Sequence, residues 1–318
     1  GVEKNLYYIS NYLSKKNIDI YIVTANTNHR KLFDKKIKFI CPRSSRWNNS
    51  SRLIKTLICL GLIIKKLPLD NISIFSFQSN VSAIILSKLF NLKIIIRLNT
   101  STEKYIKNFI KKFFFKTIYS MSDMIIVNSL EFKKNLQKHL KLNSIQIFNS
   151  IKNKNLNKRL SIDYFKNFSG IKILSIGRLT DQKSQITILK CLKILKKNKI
   201  NFRFYLIGEG YKLNELKQYV KDQKLSKNVK FAGYKPKAYE YIKSADLFVL
   251  SSKYEGLPNV LIEAQSQNVP IISSDCSTGP KEILLNGKLG SLFKVGNYYS
   301  MSKLLINFYK DKKIFLYK

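Results

Sequence analysis

Ser251-Ser252-Lys253-Tyr254-Glu255-Gly256-Leu257-Pro258-Asn259-Val260-Leu261-Ile262-Glu263 joins two elements of opposite character. The residues before it, Ala245-Asp246-Leu247-Phe248-Val249-Leu250, form an apolar run that reads as a buried strand. The residues after Gly256 take up a helical pattern near Pro258, and proline suits a first helical turn because no N–H is needed there. Glu255 falls in the loop, and Glu263 falls just over one turn into the helix. Two carboxylates and several unpaired backbone N–H groups therefore share one sheet edge. Carboxylates accept hydrogen bonds from sugar hydroxyls, and free N–H groups at a helix start suit phosphate or developing negative charge. Either glutamate alone is more economically read as a turn cap or a solvated helix residue.

Four further segments give the pair its context. They are Ser175-Ile176-Gly177-Arg178-Leu179 with Gln182-Lys183, Leu206-Ile207-Gly208-Glu209-Gly210, Phe231-Ala232-Gly233-Tyr234, and Cys276-Ser277-Thr278-Gly279-Pro280-Lys281-Glu282-Ile283-Leu284. Their order and spacing, together with the seven residues between Glu255 and Glu263, resemble the C-terminal half of the family 4 retaining glycosyltransferases of the GT-B fold. A lone Glu-x7-Glu is weak, whereas five ordered segments are specific. The resemblance covers Ser175 to Leu284 and leans toward the enzymes of bacterial surface polysaccharide synthesis.

Composition sets the outer bounds. The 318 residues, 45% hydrophobic, are ample for two domains with separate cores. The net charge of +39 invites a nucleic-acid reading, but its distribution argues against one. Residues 1–150 carry 26 basic and 7 acidic side chains, and residues 151–318 carry 32 and 12, so the charge is spread rather than concentrated. No RNA-binding aromatic signature or finger spacing accompanies it. No nucleic-acid partner is expected, although so basic a surface favours anionic membranes. Cys41, Cys59, Cys191 and Cys276 are scattered without metal-ligand spacing, which fits a reduced, cytoplasmic chain. The longest apolar run, Leu57 to Ile64, is too short to span a bilayer, and no signal peptide is seen.

In chain order, strands alternate with helices, which implies parallel sheets. The first part reads as a helix around Leu6, Ile9 and Leu13, then strands at 18–24, 38–41, 72–76, 93–97 and 124–129. Helices are expected at 51–66, 81–90, 104–119 and 131–140. The 51–66 and 104–119 helices are basic, with membrane contact the alternative to packing for both, and the 104–119 helix is read as packing Ile106, Phe109 and Phe113 inward behind a solvated lysine face. The fold class is thus α/β, with two facing Rossmann-like, doubly wound domains and a nucleotide-sugar in the cleft. The domains are taken as residues 1–165, on the acceptor side, and 166–318, on the nucleotide-sugar side. Gly1-Val2-Glu3 resembles the end of the family's glycine-rich loop. That resemblance implies a donor contact at Gly1, an absent first strand, and a natural start about 10–20 residues upstream.

The resemblance also implies roles. Arg178 and Lys183 follow a strand's carboxyl end, where a fork of donors and a compact charge can neutralise a departing diphosphate. Glu255 is implied to hold donor-sugar hydroxyls, and Glu263 the nucleotide ribose. Gly177, Gly208, Gly210, Gly256, Leu257, Pro258 and Asn259 complete the donor site. In the first domain, Arg97 and Asn99 are weak acceptor-side candidates, read mainly as solvated, because the family's loop histidine has no counterpart there. His29 and His139 both lie elsewhere. No metal or other cofactor is expected. The expected partners are a UDP-hexose or UDP-N-acetylhexosamine donor, a glycan or polyprenyl-linked acceptor, and the anionic inner face of the plasma membrane. A non-catalytic nucleotide-sugar-binding relative and a GT-B epimerase stay open as alternatives. A glycoside hydrolase does not, since the Arg178/Lys183 pair would then lack a purpose.

Overall fold

The structure is a computed structural model that describes residues 2–26, 33–70, 72–100, 106, 108–149 and 165–311. Gly1, the stretch 27–32 that includes His29, and residues 150–164 between the two domains lie outside the described residues. The chain divides into two compact units, residues 1–150 and 151–318.

The first unit opens with helix α1 (Val2–Ser14) and two short parallel strands, β1 (Tyr21–Val23) and β2 (Lys38–Ile40). A second, four-stranded parallel sheet follows, in the order β3 (Ser73–Ser76), β4 (Lys93–Leu98), β5 (Met124–Val127) and β6 (Ile145–Gln146). Helices α2 (Arg52–Lys66), α3 (Asn80–Leu89), α4 (Phe109–Ser120) and α5 (Leu130–Leu140) intervene. Side-chain caps fix the starts of α2, α4 and α5: Ser51, Asn108 and Ser129 accept from the amides of Ile54, Ile110 and Phe132. The core forms where β4 and β5 meet α5, around Ile94, Ile96, Val127, Phe132 and Leu136.

Helix α4 departs from the sequence expectation. Only Tyr119 of it is buried, with Phe115 and Ile118 packed against the core. Phe109 and Phe113, expected to point inward, are exposed. Ile106, just before the helix, packs on the core as expected, but the helix carries apolar residues on two faces and turns Phe109 and Phe113 outward.

The second unit is a six-stranded, wholly parallel sheet in the order β12-β11-β10-β7-β8-β9. The strands are β7 (Ile171–Ile176), β8 (Phe202–Ile207), β9 (Val229–Phe231), β10 (Leu247–Leu250), β11 (Ile271–Ser274) and β12 (Ser291–Phe293). Helices α6 (Gln185–Lys197), α7 (Leu213–Asp222), α8 (Asn259–Gln265), α9 (Pro280–Ile283) and α10 (Tyr298–Lys310) lie between and after them. Side-chain alternation along the strands builds two cores. Ile171, Ile173, Phe202, Phe204, Leu247 and Val249 share one face with α6 and α10. Leu174, Ile176, Tyr205, Ile207, Phe248 and Leu250 share the other with Leu261 and Ala264 of α8. Phe165 already packs in this second core.

The strand order reverses between β7 and β10. From β7 the chain proceeds outward through β8 and β9, then returns to the other side of β7. Such a switch point opens a crevice at the strands' carboxyl ends, because the two following loops run apart. Among the described residues, no helix is long and apolar enough to cross a membrane.

Phe204 is fully buried against α6 and its neighbours. Phe204→Ala should destabilise the second unit by about 3–5 kcal/mol. Urea unfolding should show an earlier midpoint for that unit's transition while the first unit's transition stays in place.

Candidate functional site

The loops after β7 and β10 flank the switch point, and they carry Arg178, Lys183 and Glu255. One serine, one glutamine and a backbone amide hold them together. Ser251 Oγ donates to the carbonyls of Lys183 and Ser184, 2.9 Å from each. Lys253 N donates to Gln182 O at 2.8 Å, and Gln182 Nε2 returns a bond to Tyr254 O at 3.0 Å. Gln185 Nε2 reaches back to Arg178 O at 2.8 Å and shapes the first loop.

Within this frame Lys183 Nζ pairs directly with Glu255 Oε1. Both side chains are largely out of solvent, at 15% and 8% exposure. Ser252 Oγ donates to the same carboxylate oxygen at 2.5 Å. Thr278 Oγ1 donates to the Glu255 carbonyl, and Ser274 Oγ donates to Ser252 O at 2.7 Å. The carboxylate is thus fixed from β11 and the segment after it as well as from its own loop. Ser251, Ser252, Ser274 and Thr278 were not singled out from sequence. The only signal was the pair of serines closing the β10 strand, a place where polar residues are common anyway.

Cys276 is buried beside this pair. Burial, with Glu255 adding to it and Lys183 opposing, pushes its thiol up to about 12. It is a buried, free packing residue.

The glycines serve the loops themselves. A Cβ on Gly208, where φ is +143°, would stand 1.9 Å from the Gly177 carbonyl oxygen. The nearest constraint at this position is the backbone of the neighbouring loop. Gly279, at φ +89°, likewise faces Gly256 O at 2.5 Å and Pro258 Cδ at 2.7 Å. Gly177 tolerates more, since a Cβ there would meet only the Lys183 stem at 3.6–3.8 Å. Outside this contact, Tyr211 Oη donates to Asp181 at 2.8 Å and Lys212 Nζ lies 3.2 Å from it. The Tyr211 bond and then Lys212 hold the Asp181 carboxyl below its usual range, and they tie the loop after β8 to the loop after β7.

The remaining candidates divide. Arg178 is exposed at the start of its loop. Pro258 is the residue capping α8 rather than its first-turn residue, with Asn259 opening the helix. Gly256, Leu257 and Pro258 are buried, while Asn259 and Glu263 are half-buried. Gly1 lies outside the described residues.

Arg97 and Asn99 correct a sequence expectation, because neither is solvated. Arg97 is 1% exposed at the end of β4, and its Nη2 donates to Ile147 O at 2.9 Å and Asn149 Oδ1 at 3.0 Å. Asn149 also accepts from Asn5 of α1 at 2.9 Å. Burial lowers the Arg97 pKa. Asn99 is half-buried, and its amide donates to Phe77 O at 3.0 Å. An arginine after a strand is usually exposed, and only the tertiary cover from α1 and the chain after β5 makes this one internal.

Residues 157–315 match the family Glycosyl transferases group 1. An uncharacterized glycosyltransferase of Methanocaldococcus jannaschii is 31% identical over 255 residues, 73% of this chain and 62% of that one. The chain belongs to the group 1 glycosyltransferases. A second relative, from Campylobacter jejuni, is 26% identical over 79% of this chain and 70% of its own. It is named N-acetylgalactosamine-N,N'-diacetylbacillosaminyl-diphospho-undecaprenol 4-alpha-N-acetylgalactosaminyltransferase. The crystal structure of Anabaena HepE in complex with UDP and glucose superposes with a TM-score of 0.79 at 15% identity. That match covers 99% of this chain and 88% of the other. The fold is GT-B, as the sequence motifs implied.

Removing one member of a buried ion pair strands the other's charge. Lys183→Ala should therefore cost about 3–5 kcal/mol of stability in the second unit. The double variant Lys183→Met/Glu255→Gln removes both charges and should recover most of that loss in thermal unfolding.

In the native transferase, Cys276 should resist alkylation at pH 8, because almost no thiolate forms that far below its pKa. Peptide mass mapping after iodoacetamide treatment reads this directly, with the half-buried Cys41 and Cys59 as internal references.

Proposed function

We propose that this glycosyltransferase moves a hexosyl or N-acetylhexosaminyl group from a UDP-sugar to a glycan on a polyprenyl carrier, with retention of anomeric configuration. It would do so in surface polysaccharide or lipopolysaccharide synthesis, from the cytoplasmic side of the plasma membrane. The observation that carries this reading is the meeting of Lys183 and Glu255 at the switch point of a parallel sheet. Ligands of open α/β sheets are held at such points.

The chemistry follows from charge. Breaking the bond between sugar and phosphate leaves an electron-poor anomeric carbon and a departing diphosphate. Cations fixed near that diphosphate lower the barrier without reorganising. Arg178 and Lys183 take this role, and no metal is invoked. When the diphosphate draws the Lys183 ammonium toward itself, the Glu255 carboxylate loses its partner and becomes free to accept from donor-sugar hydroxyls. Ser252 and Thr278 keep it in position during the exchange. Glu263 accepts from the ribose, and the amides of Gly256 to Asn259 orient the donor. Gly177, Gly208 and Gly210 keep the surrounding loops close. Arg97 and Asn99 serve the acceptor side by shaping the end of β4.

The relatives agree in outline. The Anabaena structure contains UDP and glucose, and the Campylobacter relative is named for a diphospho-undecaprenol acceptor. A bilayer-borne acceptor also gives the basic first unit a reason to meet anionic lipid.

A panel of nucleotide-sugars tests the proposal. One UDP-sugar should turn over, and the NMR coupling of the transferred sugar's anomeric proton should report retention. Lys183→Ala and Glu255→Ala should each lose about 100-fold or more in kcat. Both variants should unfold earlier, since each strands a buried charge, so kcat is read well below their lowered melting temperatures. Donor binding without turnover in the presence of polyprenyl diphosphate-linked acceptor would overturn the catalytic reading, and an inverted product would overturn retention.

A further inference from the structure

Helix α4 has a second apolar face. Its inner side, Phe115, Ile118 and Tyr119, packs on the core of the first unit. On the opposite side Phe109, Ile110, Phe113 and Phe114 are 82%, 74%, 65% and 45% exposed. Four large side chains clustered over six positions of one helix are not the scattered surface apolars of an ordinary protein. The helix wheel places Lys112 and Lys116 along one border of this strip and Lys111 along the other. Helix α3 packs against both α2 and α4, and it adds exposed Leu89 and Ile85 to the same side of the sheet, with Leu57 exposed on α2.

We infer that the outer face of α4 is a membrane-docking surface, which lies in the plane of an anionic bilayer with its phenylalanines in the headgroup and acyl boundary. The geometry suits this occupant. A 12-residue helix is about 18 Å long, too short to cross a bilayer but long enough to lie along one. Rings on the outer face with lysines at its borders match the division between acyl chains and anionic headgroups. A second copy of this chain fits worse. Two such faces brought together would oppose lysine borders of like sign, on units that are each strongly basic. Anionic lipid removes that repulsion instead of adding to it.

The inference deepens the proposed function in one respect: the purpose of the surface, reaching a lipid-borne acceptor, rests on that reading. The surface itself rests on exposure and charge alone.

Vesicle flotation tests it, with phosphatidylcholine vesicles beside vesicles of phosphatidylcholine mixed with phosphatidylglycerol. The unaltered chain should float with the mixed vesicles, release in high salt, and ignore phosphatidylcholine alone. Phe109→Ser/Phe113→Ser should lose about tenfold or more in partitioning, since each ring contributes its burial in the boundary. Lys111→Gln/Lys116→Gln should weaken binding to the mixed vesicles and flatten its salt dependence. All these positions are exposed, so thermal unfolding and UDP-sugar turnover should be unchanged in both variants. Vesicle binding that survives the phenylalanine changes, or no binding by the unaltered chain, would overturn the assignment. A concentration-dependent dimer in gel filtration, abolished by Phe109→Ser/Phe113→Ser, would give the face to a second copy instead. Vesicle binding without any donor turnover would count against the transferase proposal and leave the docking surface standing.

Discussion

A buried ion pair between two loops holds the site in shape. Lys183 and Glu255 lie 72 positions apart, on loops that follow β7 and β10. Strand order alone makes them neighbours, since β10 pairs with β7 while the intervening β8 and β9 lie on the other side. Taking both charges from water is costly, and attraction offsets that cost only when the geometry is good and the remaining lone pairs are met. Here the requirement is served by Ser252 on the carboxylate, Thr278 on its backbone carbonyl, and Ser251 on the backbone beside the lysine. Remove the frame and the pair would relax into solvent, where it would be worth little.

The same pair explains why the glycines cluster as they do. The loops after β7 and β8 approach until the Gly208 backbone nearly touches the Gly177 carbonyl. The segment after β11 presses on Gly256 and Pro258 through Gly279. A β-carbon at either place would separate the loops, and Lys183 would no longer reach Glu255. The glycines therefore act on the chemistry indirectly, by setting how close the two charged groups can come. A site of this kind is pre-formed on rigid strand ends, which suits a reaction whose barrier is mainly electrostatic.

Much of this was legible in the chain because each signal was local. The buried strands of the second unit are continuous apolar runs ending in Gly or Ser, and their spacing allows only alternating strand and helix. Glu255 and Lys183 were legible as loop residues because each falls within a few positions of such a run. What the sequence hid was tertiary. Nothing local distinguishes Ser252 or Thr278 from any other loop hydroxyl, and their role exists only once β10 and β11 pair. Arg97 looks like a solvated residue after a strand until α1 and the residues following β6 close over it. Proline at 258 signals a helix start, yet its placement as cap or as first residue is a matter of one position, within the ordinary uncertainty of helix ends.

Helix α4 shows a different limit, since its helical pattern was correct while the outward turn of Phe109 and Phe113 was not foreseen. Period-3.6 spacing identifies an apolar stripe, and a single stripe is assigned to the core by default. FIKKFFFKTIYS has enough apolar residues for two stripes, and the sequence cannot say which one the sheet takes. The sheet takes the shorter-reaching one, ending in Tyr119, and leaves the phenylalanine-rich one outside. Charge then bears on the outcome in a way that net charge alone could not. The whole chain is basic, evenly so between its units, and that evenness argues against a polyanion-binding patch. Lysines bordering an exposed aromatic strip are a different matter, because there position rather than number carries the information. A diffuse positive charge draws the protein toward any anionic surface, and an apolar strip framed by lysines selects the kind of surface that can also accept the rings.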